Sequence, residues 1–166
     1  RQSGGQIHIR SRVGEGTTMC LYFPRFVGEP ERLADPASER VDRGFGETVL
    51  VVDDDATVRM LIAEVLSENH YRILEAEDGV AALELLAGEQ AVHLMVTDVG
   101  LPGIINGRQI ADAARIGRPQ LKVLFITGFA ENAVVRSGQL EPGMALLAKP
   151  FAMSTLANKV REMLES

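Results

Sequence analysis

From Thr48 onward the chain alternates short apolar runs with amphipathic stretches five times, and this rhythm restricts the fold more than any other feature. Thr48-Val49-Leu50-Val51-Val52 is almost continuously apolar, the pattern of a strand buried on both faces. The stretch after it places Val58, Leu61, Ile62, Val65 and Leu66 on one face at helical spacing. Further strands are predicted over 71–75, 94–97, 123–126 and 145–147. Helices are predicted over 80–87 with Gly88 as the stop, and over 107–115 with Ile110, Ala113 and Ala114 inward. A short helix is expected over 131–136, and a last one carries Met153, Leu156, Val160, Met163 and Leu164. Strands alternating with helices imply an α/β class, with a parallel sheet covered by helices on both faces.

The residues before Thr48 have a different texture. Gln6-Ile7-His8-Ile9-Arg10-Ser11-Arg12 opens as an alternating strand, Gly14-Glu15-Gly16-Thr17 is turn chemistry, and Met19-Cys20-Leu21-Tyr22-Phe23 is a second strand ended by Pro24. A lone hairpin is marginal in water, and its unpaired edges offer pairing to another copy of the chain, so oligomerisation through it is expected as an option. Residues 28–46 contain Pro30 and Pro36 with little apolar periodicity, a linker composition. The chain thus divides into a hairpin over 1–27, a linker over 28–46 and an α/β domain over 47–166. It starts at Arg1 rather than at methionine and reads as a piece of something longer.

Composition narrows the function classes. With 46% hydrophobic residues and no tryptophan, the core must be sizeable and mainly aliphatic. No apolar run approaches the ~18 residues of a membrane span, and no signal segment opens the chain, so a cytoplasmic location without membrane contact is expected, on a parent chain that can itself be membrane-attached. Four arginines and one glutamate through Val27 give +3, which leaves −9 of the total −6 for the remainder. An acidic body argues against nucleic acid as a partner. Cys20 is the only cysteine, and His8, His70 and His93 are far apart, so no disulfide within the chain and no zinc site is expected.

In an open α/β sheet, ligands gather outside the C-terminal ends of the strands. There the first strand delivers Asp53-Asp54-Asp55, the third Asp98, the fourth Thr127-Gly128 and the fifth Ala148-Lys149-Pro150. Each has a plain explanation when taken singly: Asp55 as a helix cap, Asp98 before Gly100 and Pro102 as a turn starter, Thr-Gly and Lys-Pro as loops. Together they crowd carboxylates, a hydroxyl and an ammonium onto one edge. Carboxylates so crowded repel one another unless a hard cation such as Mg²⁺ joins them. An Asp98 beside such an ion, with Lys149 and Thr127 near, suits phosphoryl transfer.

Leu50-Val51-Val52-Asp53-Asp54, Val96-Thr97-Asp98-Val99-Gly100-Leu101-Pro102-Gly103, Phe125-Ile126-Thr127-Gly128 and Lys149-Pro150-Phe151 together resemble the receiver domain of two-component signalling. The resemblance implies a flavodoxin-like, doubly wound five-stranded sheet of order 2-1-3-4-5. It implies Asp98 as acceptor of a phosphoryl group from a phosphohistidine donor, either a kinase dimerisation domain or a phosphotransfer protein. It further implies Mg²⁺ held by Asp54, Asp98 and the Gly100 carbonyl, with Asp53 acting directly or through water, and Thr127 and Lys149 holding phosphoryl oxygens. The Lys149-Pro150 peptide is expected cis. Leu146 stands where the family usually has an aromatic residue, and the loop from Pro102 to Asn106-Gly107 is one residue longer than the family's usual pattern. Signal-induced change is therefore expected mainly in the loops 100–106 and 128–132 rather than at Leu146, which should stay buried.

Gly14-Glu15-Gly16-Thr17-Thr18 followed by Leu21-Tyr22-Phe23-Pro24 is similar to the end of a histidine-kinase ATP-binding domain, whose upstream glycine and asparagine boxes are absent. With the receiver-like segment behind it, this suggests the C-terminal part of a hybrid histidine kinase, and a chain that is not a free-standing kinase. One competing reading is enzymatic. Asp53-Asp54-Asp55-Ala56-Thr57 fits the D-x-D-x-T pattern of haloacid-dehalogenase-type phosphohydrolases, with Asp53 as nucleophile and Asp55 as general acid. That reading lacks a late acidic pair and leaves Asp98 without a role.

Overall fold

The computed structural model describes residues 6–14, 16–24, 46–128 and 140–166. The chain forms two compact units, Arg1–Ser38 and Glu39–Ser166. In the first, β1 (Gln6–Arg12) and β2 (Gly16–Tyr22) form an antiparallel hairpin. The second strand therefore starts earlier than its apolar stretch and stops before Phe23. Ile7 pairs with Leu21 and Ile9 with Met19, so the apolar side chains share one face, and all of them are exposed within this unit.

The second unit contains β3 (Thr48–Val52), α1 (Ala56–Glu68), β4 (Arg72–Ala76), α2 (Gly79–Ala87), β5 (Leu94–Asp98), α3 (Gly107–Gly117), β6 (Lys122–Thr127), β7 (Met144–Ala148) and α4 (Met153–Glu165). Its five strands are parallel in the order β4-β3-β5-β6-β7. Counted within this unit, that is the expected 2-1-3-4-5 order of the flavodoxin-like fold. The helix expected over 131–136 and most of the loop 128–132 lie outside the described residues, as does most of the linker.

Side-chain alternation along the strands divides the core into two layers. Leu50, Val52, Met95, Val123 and Phe125 face α2 and α3, while Val49, Val51, Leu94, Val96, Leu124 and Ile126 face α1 and α4. Both sets are almost wholly buried, as a parallel sheet sandwiched by helices requires. Three inward assignments change. Leu61 is 41% exposed, so Ile62 and Leu66 carry the buried stripe of α1. Ala113 is exposed and Ala111 is buried in its place beside Ile110 and Ala114. Leu146 is half-buried, because β7 is an edge strand.

Long side chains tie off the helix ends. The Arg118 guanidinium donates to the carbonyls of Leu86, Gly88 and Gln90 at 2.9, 2.7 and 3.0 Å, closing the C-terminus of α2. Lys122 Nζ does the same for α4 at Met163, 2.6 Å away. Helix α1 ends without glycine. His70 adopts φ 67°, its N–H bonds to Ser67 and the Tyr71 N–H to Leu66, the paired bonds of a Schellman turn. A left-handed conformation strains any residue with a Cβ. The exposed His70→Gly variant should therefore unfold at higher urea, with a gain of about 0.5–1 kcal/mol and an unchanged slope.

Candidate functional site

Strand register brings the expected residues to one edge. Val52 pairs with Thr97, Asp98 with Ile126 and Thr127 with Ala148, so Asp53, Asp98, Thr127 and Lys149 all emerge at the C-terminal ends of neighbouring strands. The Lys149-Pro150 peptide is cis, as expected.

Both oxygens of Asp98 are engaged. Oδ1 accepts the Gly100 N–H at 2.8 Å, which tightens the turn after β5, and Oδ2 meets Lys149 Nζ at 2.5 Å. Asp53 is different. Its carboxylate is buried, Oδ1 accepts the Asp55 N–H at 2.9 Å, and Oδ2 has no hydrogen-bond partner. Lys149 Nζ lies 3.8 Å from that oxygen, within ion-pair range but beyond a hydrogen bond. Burial pushes the Asp53 carboxyl above its ordinary range, against the lowering by the Asp55 N–H and Lys149, and the charges of Asp98 and Asp54 add to the rise.

An orphaned, buried carboxylate oxygen beside a second carboxylate fits a hard divalent cation. Among the described residues no three His, Cys, Asp or Glu side chains could hold a metal by themselves. Mg²⁺ does not require three, since it takes one or two carboxylates and keeps several waters. Asp54 is exposed at the mouth of the edge, next to Asp53. Thr127 is buried, and its hydroxyl donates to the Gly128 carbonyl at 3.0 Å, so the hydroxyl is engaged next to its own strand end.

Asp55 serves the helix. Its Oδ1 accepts the Thr57 and Val58 N–H groups at 2.8 and 3.3 Å, and these bonds hold its carboxyl below the ordinary range. It is exposed and committed as the N-cap, so the dehalogenase-type role as general acid gains no support.

Two contributors were not foreseen. Gly107 opens α3 so close to β5 that a Cβ there would collide with the Asp98 carbonyl and the Thr97 hydroxyl. The Asn106-Gly107 pair was the available signal, since a capping asparagine followed by a residue without a side chain marks a close approach. Arg59 donates from Nη1 to the Asp53 carbonyl at 2.6 Å. Its signal was a cation in the first turn of α1, where the helix dipole disfavours positive charge.

The response regulator receiver domain family matches residues 49–161. The chain belongs to this family. It is 35% identical to the sensor kinase CckA of Brucella abortus (strain 2308), over 99% of this chain but only 18% of that protein. The crystal structure of a response regulator receiver protein from Sinorhizobium medicae WSM419 superposes with a TM-score of 0.67 at 26% identity, covering 74% of this chain and 97% of that one. The receiver domain of the hybrid histidine kinase CckA superposes at 0.58 and 32% identity, covering 70% of this chain and 98% of that one. No helix among the described residues is long and apolar enough to cross a membrane.

Asp53 also predicts a pH effect. A carboxyl raised on folding favours the native state below its unfolded value, and that advantage is lost as pH rises through the folded value. Ionised Asp53 therefore weakens the metal-free receiver at neutral pH. Without Mg²⁺, Asp53→Asn should raise stability at pH 7 by about 1 kcal/mol, and the gain should shrink as pH falls through the folded value of Asp53 towards its unfolded one. Thermal unfolding in chelator across that range checks both the sign and the trend.

Proposed function

We propose that this receiver takes a phosphoryl group from phosphohistidine onto Asp98 in a two-component phosphorelay. The observation that carries the reading is the Asp98 carboxylate, bound by Lys149 and set beside the orphaned Asp53 oxygen. An Asp98 oxygen attacks phosphorus, the phosphorus–nitrogen bond of the donor breaks, and the imidazole leaves. Lys149 gives up Asp98 Oδ2 and takes a phosphoryl oxygen in exchange, while Thr127 turns its hydroxyl from the Gly128 carbonyl to another. Asp53 and Asp54, with Asp98 and the Gly100 carbonyl, would hold Mg²⁺. When bound, Mg²⁺ neutralises charge on the transferring group and relieves repulsion among the three carboxylates.

The similarity to a sensor kinase over nearly the whole chain, hairpin included, supports a wider reading. In it, residues 1–27 end an ATP-binding domain, 28–46 link, and 47–166 receive, all at the C-terminal end of a hybrid histidine kinase. The partner is then a histidine-bearing kinase or phosphotransfer domain rather than nucleic acid or lipid, and the setting is cytoplasmic.

Mixing the chain with a phosphorylated histidine phosphotransfer protein and Mg²⁺ should produce a base-labile label. Asp98→Asn should lose it while keeping the wild-type circular dichroism spectrum. Label that survives in Asp98→Asn but vanishes in Asp53→Asn would overturn the assignment of the acceptor.

A further inference from the structure

We propose that Arg59 is a positioning residue for the cation pocket, fixing the Asp53–Asp54 peptide from which both acidic side chains project. The inference rests on the reading of that pocket as a Mg²⁺ site. Arg59 stands one turn into α1, and its side chain is only 15% exposed. It folds back over the helix N-terminus, against the dipole, so something there must compensate for its charge. Two acceptors do. Nη1 donates to the Asp53 carbonyl at 2.6 Å, and Nε lies 3.6 Å from Glu75 Oε2 on β4.

The consequence follows from peptide planarity. The Asp53 carbonyl and the Asp54 N–H belong to one rigid unit, so anchoring the first sets the starting point of Asp54. On its other side the Asp53 N–H bonds to the Ala76 carbonyl of β4 at 3.3 Å. Asp53 Oδ1 is held by the Asp55 N–H. Asp53 is thus pinned at its amide, its carbonyl and one carboxylate oxygen, and only Oδ2 is left for a ligand. Mg²⁺ demands near-ideal octahedral geometry, so it gains from a carboxylate that cannot wander. Groups that orient metal ligands without touching the metal typically change its affinity 10–100-fold when removed. Arg59 also occupies the Asp53 carbonyl, which keeps that oxygen out of the coordination shell.

Calorimetric titration with MgCl₂ alone tests this on the unphosphorylated chain. Arg59→Met should weaken Mg²⁺ binding about tenfold or more. Arg59→Lys should fall between it and wild type, since one ammonium cannot span both acceptors as a guanidinium does. Glu75→Gln removes only a half-exposed partner and should shift affinity by about twofold. Arg108→Met, which breaks a surface pair on α3, should leave Mg²⁺ binding unchanged. Labelling of Asp98 by acetyl phosphate adds a second readout. In Arg59→Met the Mg²⁺ concentration for half-maximal rate should rise, while the rate at saturating Mg²⁺ stays near wild type.

A merely structural Arg59 would lower the melting temperature and leave Mg²⁺ affinity where it was, and that result overturns the proposal. If Arg59→Met does not fold, Arg59→Lys and Glu75→Gln decide, and wild-type affinity in both also overturns it. Wild-type protein that binds no Mg²⁺ and takes no label overturns the reading of the site itself. Wild-type protein that does both while the Arg59 variants match it overturns only the role of Arg59.

Discussion

The ion pair between Lys149 and Asp98 joins the edge strand of the sheet to its central strand, across 51 residues of sequence and 2.5 Å of space. It exists because both faces of the sheet are taken up by helices. Charge finds no room among Val49, Val51, Met95, Leu124 and Phe125, and is confined to the rim where the strands end. At that rim one ammonium faces two carboxylates, and it satisfies Asp98 while leaving Asp53 Oδ2 short. The acidic rim is therefore under-compensated as it stands. A cation placed at the rim would offset that excess of negative charge.

Backbone contacts from several elements converge on the rim. Gly107 lets the N-terminus of α3 press against the Asp98 carbonyl, the Gly100 N–H closes the turn after β5 onto the Asp98 carboxylate, and Val99 donates to Ile126 on the next strand. On the other flank Arg59 and the β4 carbonyl of Ala76 hold Asp53 from opposite sides. Asp53 and the turn at Asp98 are thus held by backbone contacts from neighbouring elements.

Much of this was written into the chain. The apolar runs at Thr48–Val52 and Leu94–Asp98 alternate with helix-period stripes, and that pattern allows little besides a covered parallel sheet. Once the fold was fixed, the rule that ligands sit at strand C-termini picked out Asp53, Asp98, Thr127 and Lys149 without further information. Where periodicity misled, the cause was local. Leu61 lies at the margin of the α1 stripe, and Ala111 and Ala113, two positions apart, flank the Ile110–Ala114 stripe on opposite sides.

The sequence by itself determined which groups reach the rim, because strand ends are set by hydrophobic pattern and a side chain's chemistry travels with it. Only the tertiary structure decided which oxygen is bonded and which is orphaned. Asp53 and Asp98 are the same residue type at equivalent strand ends, yet burial and one ammonium placed nearer to Asp98 make their states differ. Arg59 and Gly107 belong to that second class as well. Asn106-Gly107 and a cation in the first turn of α1 mark the two positions in the sequence, but the reach to the Asp53 carbonyl and the clearance at the Asp98 carbonyl are set only by how the elements pack.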